Sequence, residues 1–531
     1  HLSTHQTTIS ARGRQTTRRT AASNNGEKER RDEKLITWIV MDLQPFTVVE
    51  EESFKMLIRC LNSSYTMPTG QAIKDWIFNE FKNRRAKIIT EIVQIPGKFS
   101  LSAETWSSSD CEDYMGIMIH YVDSNWKLHH YLLDVIPFTT ELTYIIPNIL
   151  TELKINKQPL ALTTDDESEI ISNKYFEEYQ KQLKKTGFPH YKCAARVLNV
   201  AAKHVLDVVD ASVEKARLLM TKLAFSDDKL QNELRVLCER KGVPYVDPEI
   251  DIINKWKSTY YMLSNLQKMD SAIILLADNH HSIKERYLDT ADQEKLREIL
   301  TILAPVETAT KILSETSYPG HGDIRFIFSG LQKFLANYIG QNDSTQSLAA
   351  SLIYQKIEEY WSTMDTSSMI SAVLDPRAKL WTFDHPERGE RARDAVQGIL
   401  DQYINPQTFV NSDENEIQAI RQYFLNLCNP QLATTSKEMA MKELDSYLGM
   451  KLSDQNINPL TWWQTYQTEF PVLSRIARDY HTIQASSIAC GYAFSADEVD
   501  LLISRSLLPS EVVREHLCVR SWIADERGDK E

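Results

Sequence analysis

The sequence predicts an α/β protein in which a small strand-rich region precedes a large α-helical insertion. After Pro96-Gly97, three apolar or alternating runs predict an antiparallel meander, namely KFSLSAETWSS, YMGIMIHYVDS and KLHHYLLDVIPF. The short run PLALTT then predicts a further buried strand. Helical patterns without a convincing strand fill residues 201–437, and two more helical patterns lie within 438–531. A chain of 531 residues has room for two or more domains.

Composition and charge exclude several classes of protein. Hydrophobic residues make up 42% and charged residues 25%, as in ordinary globular proteins. No apolar run approaches the roughly eighteen residues that span a bilayer, so we expect no membrane partner. The seven cysteines are dispersed and form no Cys-x2-Cys pair, which argues against a disulfide framework and a complete zinc site. A net charge of −13 means that any contact with DNA must be local.

Residues 1–34 are polar and arginine-rich, and they lack apolar periodicity. This pattern predicts a disordered basic arm, which is either a solvated linker or a segment that follows DNA phosphates. The candidate phosphate contacts are Arg12, Arg14, Arg18 and Arg19. At the start of the arm, His1 and His5 have the spacing of a zinc-finger histidine pair, although two histidines alone cannot close a tetrahedral site.

Residues 35–95 have helical periodicity, which Pro45 and Pro68 divide into separate helices. Thr47 and Thr69 are candidate helix caps. In 96–200, three antiparallel strands followed by alternating helix and strand match the beginning of a ribonuclease-H-like fold. Enzymes with that fold transfer phosphoryl groups by means of two metal ions that clustered carboxylates hold.

The end of the chain carries the most specific pattern. The strings WWQTYQTEFPVLSRIARD, IQASSIACGYAFS and RSLL follow one another in fixed order, and the last helical pattern ends in SW. This series resembles the C-terminal dimerisation region of hAT (hobo/Activator) superfamily transposases. The segment DLQPFTVVEEESFK and the run SAVLDPRAKLWTF also stand in the order that the resemblance expects.

The resemblance implies a homodimer or a higher homo-oligomer and a ribonuclease-H-like core split by the helical insertion at 201–437. The core would resume in 438–531, which also carries the dimerisation helices. A BED-type zinc finger of ricesleeper-like relatives would precede the arm, so Zn²⁺ is expected only in the full-length finger. The predicted interface residues are Trp463, Phe470, Leu473, Ile476, Phe494, Leu507 and Trp522.

The same resemblance assigns the positions of a nuclease site. Glu104 in SAETW stands where the family has an aspartate, and Asp165 follows the strand LALTT at the position of the second aspartate. Arg196 replaces a histidine in the motif CAARVLN, and it cannot accept a proton at neutral pH. Gly491 replaces a catalytic glutamate and offers no side-chain oxygen. Considered without the family, Glu104 is a strand-surface carboxylate and Asp165 a turn or cap residue.

Trp256 in NKWKSTY is either a helix-packing residue or a platform on which an unpaired base stacks. We expect a nuclear, dimerising DNA-binding protein that no longer cuts DNA. The alternatives are an active DDE-type transposase, which would use Mg²⁺ or Mn²⁺, and a helical scaffold without a role on DNA.

Overall fold

The computed structural model is mostly α-helical and contains one small mixed sheet. It describes residues 13–107, 113–137, 149–152, 155, 159–165, 189–253, 255–315, 320–341, 344–383, 385–404, 430–487 and 510–527. Within these ranges, none of the helices is both long and apolar enough to span a bilayer.

Helices form the beginning of the described chain. In order they are α1 (Gly13–Met41), a 3₁₀ helix (Phe46–Glu50), α2 (Glu52–Leu61) and α3 (Gly70–Gln94). The Thr69 side chain accepts a hydrogen bond from the amide of Ala72 (3.2 Å), which confirms Thr69 as the cap of α3. Thr47 lies inside the 3₁₀ helix and caps nothing.

Helix α1 begins at Gly13, inside the segment 1–34 that the sequence predicts as a basic arm. The apolar residues of α1 lie near its C-terminal end, where Ile36, Ile39 and Val40 are buried. We attribute the upstream helix to propagation from this packed end, since adding a residue to an existing helix costs much less than nucleating one. Residues 1–12, with His1, His5 and Arg12, lie outside the described residues.

A five-stranded sheet follows, with the order β3-β2-β1-β4-β5. Its strands are β1 (Phe99–Ser107), β2 (Asp113–Val122), β3 (Leu128–Pro137), β4 (Leu162–Thr164) and β5 (His190–Lys192). The first three pair antiparallel, which confirms the predicted meander, whereas β4 and β5 extend the sheet in parallel beside β1. Sequence reasoning missed β5, because three residues are too few to show a strand period.

The rest of the described chain is helical, as its periodicity predicts. The helices are α4 (Ala194–Val208), α5 (Asp210–Ala224), α6 (Asp228–Lys241), α7 (Trp256–Asn279), α8 (His281–Lys284), α9 (Thr290–Glu315), α10 (His321–Ala336), α11 (Thr345–Val373), α12 (Pro386–Ile404), α13 (Pro430–Gly449), α14 (Pro459–Tyr466), α15 (Pro471–Tyr480) and α16 (Ser510–Arg527). The boundaries at 34/35, 95/96, 200/201 and 437/438 stay predictions.

Buried side chains form three hydrophobic clusters. The first joins α4 to α11 and includes Ile483 and Ala485 from the segment after α15. The second joins α1, α3, the sheet and α16. The third surrounds Trp463, whose indole Nε1 donates to the carbonyl of Leu374 (2.8 Å), and it holds α12 to α15 against the end of α11.

Helix α16 closes the second cluster from the far end of the chain. Its Trp522 Nε1 donates to the carbonyl of Leu132 on β3 (2.9 Å), and its ring stacks on Phe81 of α3 (5.5 Å between centroids). Arg514 Nη2 donates to Asp134 Oδ2 on β3 (2.6 Å). These contacts make the sheet and the last helix one packed unit.

Candidate functional site

Two carboxylates lie side by side on the neighbouring inner strand lines of β1 and β4. Strands β1 and β4 run parallel with Ala103 opposite Thr164, so Glu104 and Asp165 occupy the next position on each strand line. Because side chains alternate along a strand, both project to the face opposite Ala103, which packs in the second cluster. Asp165 is 8% exposed and Glu104 is half-buried. The structure therefore brings together the two acids predicted from sequence.

Arg196 reaches this pair from the first turn of α4. The amide of Cys193 donates to the carbonyl of Thr164 (2.9 Å), and this bond starts α4 directly beyond the end of β4. Arg196 Nε then lies 3.4 Å from Asp165 Oδ1. Since a guanidinium stays protonated at any physiological pH, the aspartate has a permanent cation beside it.

The segment after α15 completes the described part of the site. Thr482 Oγ1 lies 2.7 Å from Ser100 Oγ on β1, and Thr163 Oγ1 on β4 donates to the carbonyl of Gln484 (3.0 Å). The amide of Ala194 donates to the carbonyl of Ala485 (2.9 Å). Small residues permit this close backbone approach, and the run of small residues from Ala485 is the signal visible in the sequence.

The sequence did not predict the contact of Cys193 with Ser486 and Ser487. Its Sγ lies 3.3 Å from Ser486 Oγ and accepts from the amide of Ser487 (3.4 Å). Burial raises the pKa of the Cys193 thiol, and the negative charge of Asp165 raises it further. The thiol is therefore protonated and serves packing. The structure describes no residue from 488 to 509, so Gly491 lies outside the described residues.

A buried hydrogen-bonded trio lies on the same face of the sheet as Glu104. Ser102 Oγ lies 2.8 Å from His120 Nε2, and the Nδ1 atoms of His120 and His130 are 3.1 Å apart. One imidazole must donate across the Nδ1 contact and the other must accept, so the two rings cannot both carry a proton there. Alternation along β2 and β3 puts both histidines on this face, a signal that sequence reasoning left unused.

The described donor set does not fit a two-metal site. Among the described residues, no three His, Cys, Asp or Glu side chains come close enough to hold a metal ion. Asp165 instead lies beside a guanidinium, whose positive charge opposes that of a divalent cation. No catalytic step through a metal follows from this arrangement.

Trp256 packs between helices, which favours the helix-packing interpretation over base stacking. It is 8% exposed, and its indole Nε1 donates to Asn199 Oδ1 on α4 (2.8 Å). A buried ring whose polar atom is already bonded has no free face for a nucleotide. Asn199 belongs to the same CAARVLN motif as Arg196, so the motif links Asp165 at the end of β4 to α7.

The predicted interface side chains that the structure describes lie inside the chain's own core, and their part in a contact between copies stays a prediction. Phe470, Leu473 and Ile476 belong to the third cluster together with Trp463, and Trp522 belongs to the second. Each is at most 2% exposed. Their helical periodicity indicated burial correctly, but periodicity does not distinguish a core from a subunit contact. Phe494 and Leu507 lie outside the described residues.

Three family models match the chain. The hAT family C-terminal dimerisation region matches residues 443–523, the ZBED1 RNase-like domain matches 102–191, and the ZBED1 RNase-like helical domain matches 191–302. The dimerisation-region match supports oligomerisation, and it runs from the C-terminal end of α13 into α16.

Three relatives are similar to this chain over most of its length. A protein of Zea mays named AC transposase is 25% identical over 93% of this chain. The DAYSLEEPER zinc finger BED domain-containing protein of Arabidopsis thaliana is 21% identical over 93% of the chain and 74% of its own length. RICESLEEPER 2 of Oryza sativa is 20% identical over 94% of the chain and 75% of its own length. The chain spans 65% of the length of the maize protein, somewhat less than two thirds.

Proposed function

Because the chain is a hAT transposase-like protein, we propose that it acts as an oligomerising DNA-binding protein whose nuclease site is inactive. The matches at 102–191 and 191–302, together with the strand order, support a ribonuclease-H-like core that a helical domain splits. Relatives named transposase or zinc finger protein support a nuclear place of action on DNA. The residue pair His1 and His5 would belong to a zinc finger in a longer chain.

The observation that carries the inactive site is the contact between Asp165 and Arg196. A divalent cation bound at Asp165 would have to displace the guanidinium or share the carboxylate with it. Like charges a few ångströms apart repel strongly in a partly buried site. The replacement of a glutamate by Gly491 removes one more hard oxygen ligand from the set.

A Mn²⁺ titration by calorimetry tests this proposal. We expect the wild-type chain and the Asp165→Ala variant to release the same heat, because Asp165 holds no metal. Glu249→Ala is the matched control for loss of one exposed carboxylate. Heat that Asp165→Ala removes and Glu249→Ala retains would contradict the proposal.

The second candidate function is an active DDE-type transposase, and the neighbouring positions of Glu104 and Asp165 favour it. It requires Mg²⁺ or Mn²⁺ and a third ligand from outside the described residues. Nicking of supercoiled plasmid that depends on Mg²⁺ and disappears in Asp165→Ala would establish it. We expect no such nicking, and we expect binding of duplex DNA in fluorescence anisotropy without any divalent cation.

A further inference from the structure

An exposed tryptophan stands on a short turn that follows α11. Trp381 lies in a 3₁₀ helix, Lys379–Thr382, and its side chain is 84% exposed. No other large apolar side chain is as exposed in the part of the chain that the structure describes. Exposure of a single apolar residue does not by itself identify a contact. The attachment of the turn and the surroundings of the ring therefore decide its role.

The turn is held rigidly by Lys379. That residue has a positive φ of 48°, a conformation that a lysine keeps only where its surroundings enforce it. Its side chain is buried, and Nζ donates to the carbonyls of Tyr447 (2.6 Å) and Met450 (2.8 Å) at the end of α13. A cation is favourable at the C-terminal end of a helix, so these bonds fix the turn on α13. The Trp381 ring is thus presented on a rigid turn, which lowers the entropy cost of binding to it.

The partners of this turn belong to the matched dimerisation region, residues 443–523. Besides the two carbonyls that accept from the lysine, the amide of Ser453 donates to the carbonyl of Pro376 (3.0 Å). The segment after α13 therefore runs beside the turn, and it carries Leu452, which is 42% exposed. Among the described residues of the matched region, Leu452 is the only exposed large apolar side chain. Trp381 thus adds to the apolar surface that the dimerisation region offers to solvent.

The charges around the ring favour a protein partner over DNA. Among the described residues, the nearest exposed charges in sequence are Glu387 and Arg388 at the start of α12, and Lys451 and Asp454 after α13. Two acids and two bases cancel, whereas a surface that follows phosphates needs an excess of cations. An apolar centre inside a polar rim is the anatomy of a contact between proteins. Tryptophan is enriched at the positions that carry most of the binding energy there.

We infer that Trp381 anchors a contact between two copies of this chain, in which its ring and Leu452 pack against the same patch of the second copy. A two-fold dimer uses one patch on both subunits, so each ring meets an apolar partner. Continuity with the dimerisation region selects the second copy as the partner. The inference rests on the proposed oligomerisation and adds a residue that carries it.

Sedimentation equilibrium of the full chain measures the dissociation constant of the contact. We expect Trp381→Ser to raise it by about 30-fold or more, as for a central tryptophan in an interface. Trp381→Phe should raise it much less, because an aromatic ring remains. The matched control is Phe225→Ser, which removes an 80% exposed ring just beyond α5 and should leave the constant unchanged. Circular dichroism should be the same for all variants, since the substituted positions are exposed.

The possible outcomes separate the inference from the proposal on which it rests. An unchanged dissociation constant in Trp381→Ser would overturn the anchor alone, whereas a monomeric wild type would overturn the proposed oligomerisation as well. A Trp381→Ser variant that stays dimeric but binds a single-stranded oligonucleotide more weakly would also overturn the anchor and would assign the ring to DNA.

Thiol labelling tests whether Leu452 shares the contact. In Leu452→Cys we expect maleimide to react slowly with the new thiol at protein concentrations that favour the dimer, and quickly when Trp381→Ser is added. Peptide mass spectrometry reads this position separately from the seven native cysteines. Val236→Cys on α6, where the native side chain is 61% exposed, should be labelled equally in both backgrounds. Equal labelling of position 452 in both backgrounds would contradict a shared contact.

Discussion

At the scale of single residues, His321 shows how burial sets a protonation state. It lies at the start of α10, is 1% exposed, and its ring centroid is 4.6 Å from that of Tyr191. Neither ring nitrogen has a hydrogen-bond partner among the described residues. Burial, together with the smaller effect of the Arg325 charge, lowers the pKa of His321 to about 3. The ring is therefore neutral in the folded protein at neutral pH.

This pKa predicts an acid-sensitive contribution to stability. Unfolding restores a histidine pKa near 6.5, so the unfolded chain binds an extra proton between that pH and about 3. The contribution of the neutral ring to the free energy of unfolding is fully present above pH 6.5. It falls by about 1.4 kcal/mol for each pH unit below that value. We expect His321→Phe to lose less stability than the wild type between pH 7.5 and 5.

Urea unfolding midpoints at the two pH values measure the effect. The control is His281→Phe, whose side chain is 84% exposed in the wild type and should leave the pH dependence unchanged. Equal loss of stability in His321→Phe and in the wild type would show that the buried ring does not govern the acid response.

The residues of the candidate site were predictable to different degrees. Glu104 and Asp165 each follow a recognisable strand run, so their positions depend on local pattern. The contact of Cys193 with Ser486 joins residues 293 positions apart, and no local periodicity contains that information. Trp256 illustrates the opposite error, because an aromatic residue between two lysines fits both nucleotide stacking and helix packing until its burial is known.

At the scale of elements, the faces of α14 and α15 stabilise the monomer. Phe470 is 1% exposed and lies among Trp462, Trp463 and Tyr447, with ring centroids 4.9 to 6.5 Å apart within the group. Truncating a buried phenylalanine costs about 3–5 kcal/mol, because the cavity adds to the lost transfer free energy. We therefore expect Phe470→Ala to lower the melting temperature, and Phe470→Asp to abolish cooperative unfolding in circular dichroism.

The control for this substitution is Met439→Ala on α13, since that side chain is 63% exposed. It should leave the melting temperature unchanged. A stable, folded monomer after Phe470→Asp would show that these side chains form a contact between copies, as the resemblance implies.

Part of the basic arm is helical, because α1 begins at Gly13, and the sequence did not predict this helix. Arg14, Arg18 and Arg19 lie within α1, where positions 14 and 18 share one helix face. If each contacts one phosphate, Arg14→Ala/Arg18→Ala/Arg19→Ala should reduce the slope of log affinity against log salt concentration by about 3 on duplex DNA. Anisotropy titrations between 50 and 200 mM salt would measure it, roughly the range over which such contacts are resolved.

Arg391→Ala, which removes an exposed arginine on α12, serves as the control and should leave the salt slope unchanged. An equal slope in the triple variant and the wild type would assign DNA contact to another part of the chain.

At the scale of the whole molecule, the strand meander and the succession of helices were predictable, because each depends on a repeat within ten to thirty residues. The grouping into three clusters was not. It depends on contacts such as that between His516 Nε2 and the carbonyl of Val40 (3.1 Å), which joins positions 476 apart. Contacts between positions so far apart produce no periodic pattern in the sequence.

Closure of the second cluster by α16 also constrains how the protein is made. Trp522, His516 and Arg514 complete a cluster whose other members are synthesised first, so α1, α3 and the sheet emerge from the ribosome without their last partner. The apolar surfaces that α16 will cover remain exposed until α16 leaves the exit tunnel. Chaperone binding should therefore persist until α16 emerges, and messages truncated before Ser510 should yield chains that are degraded instead of accumulating.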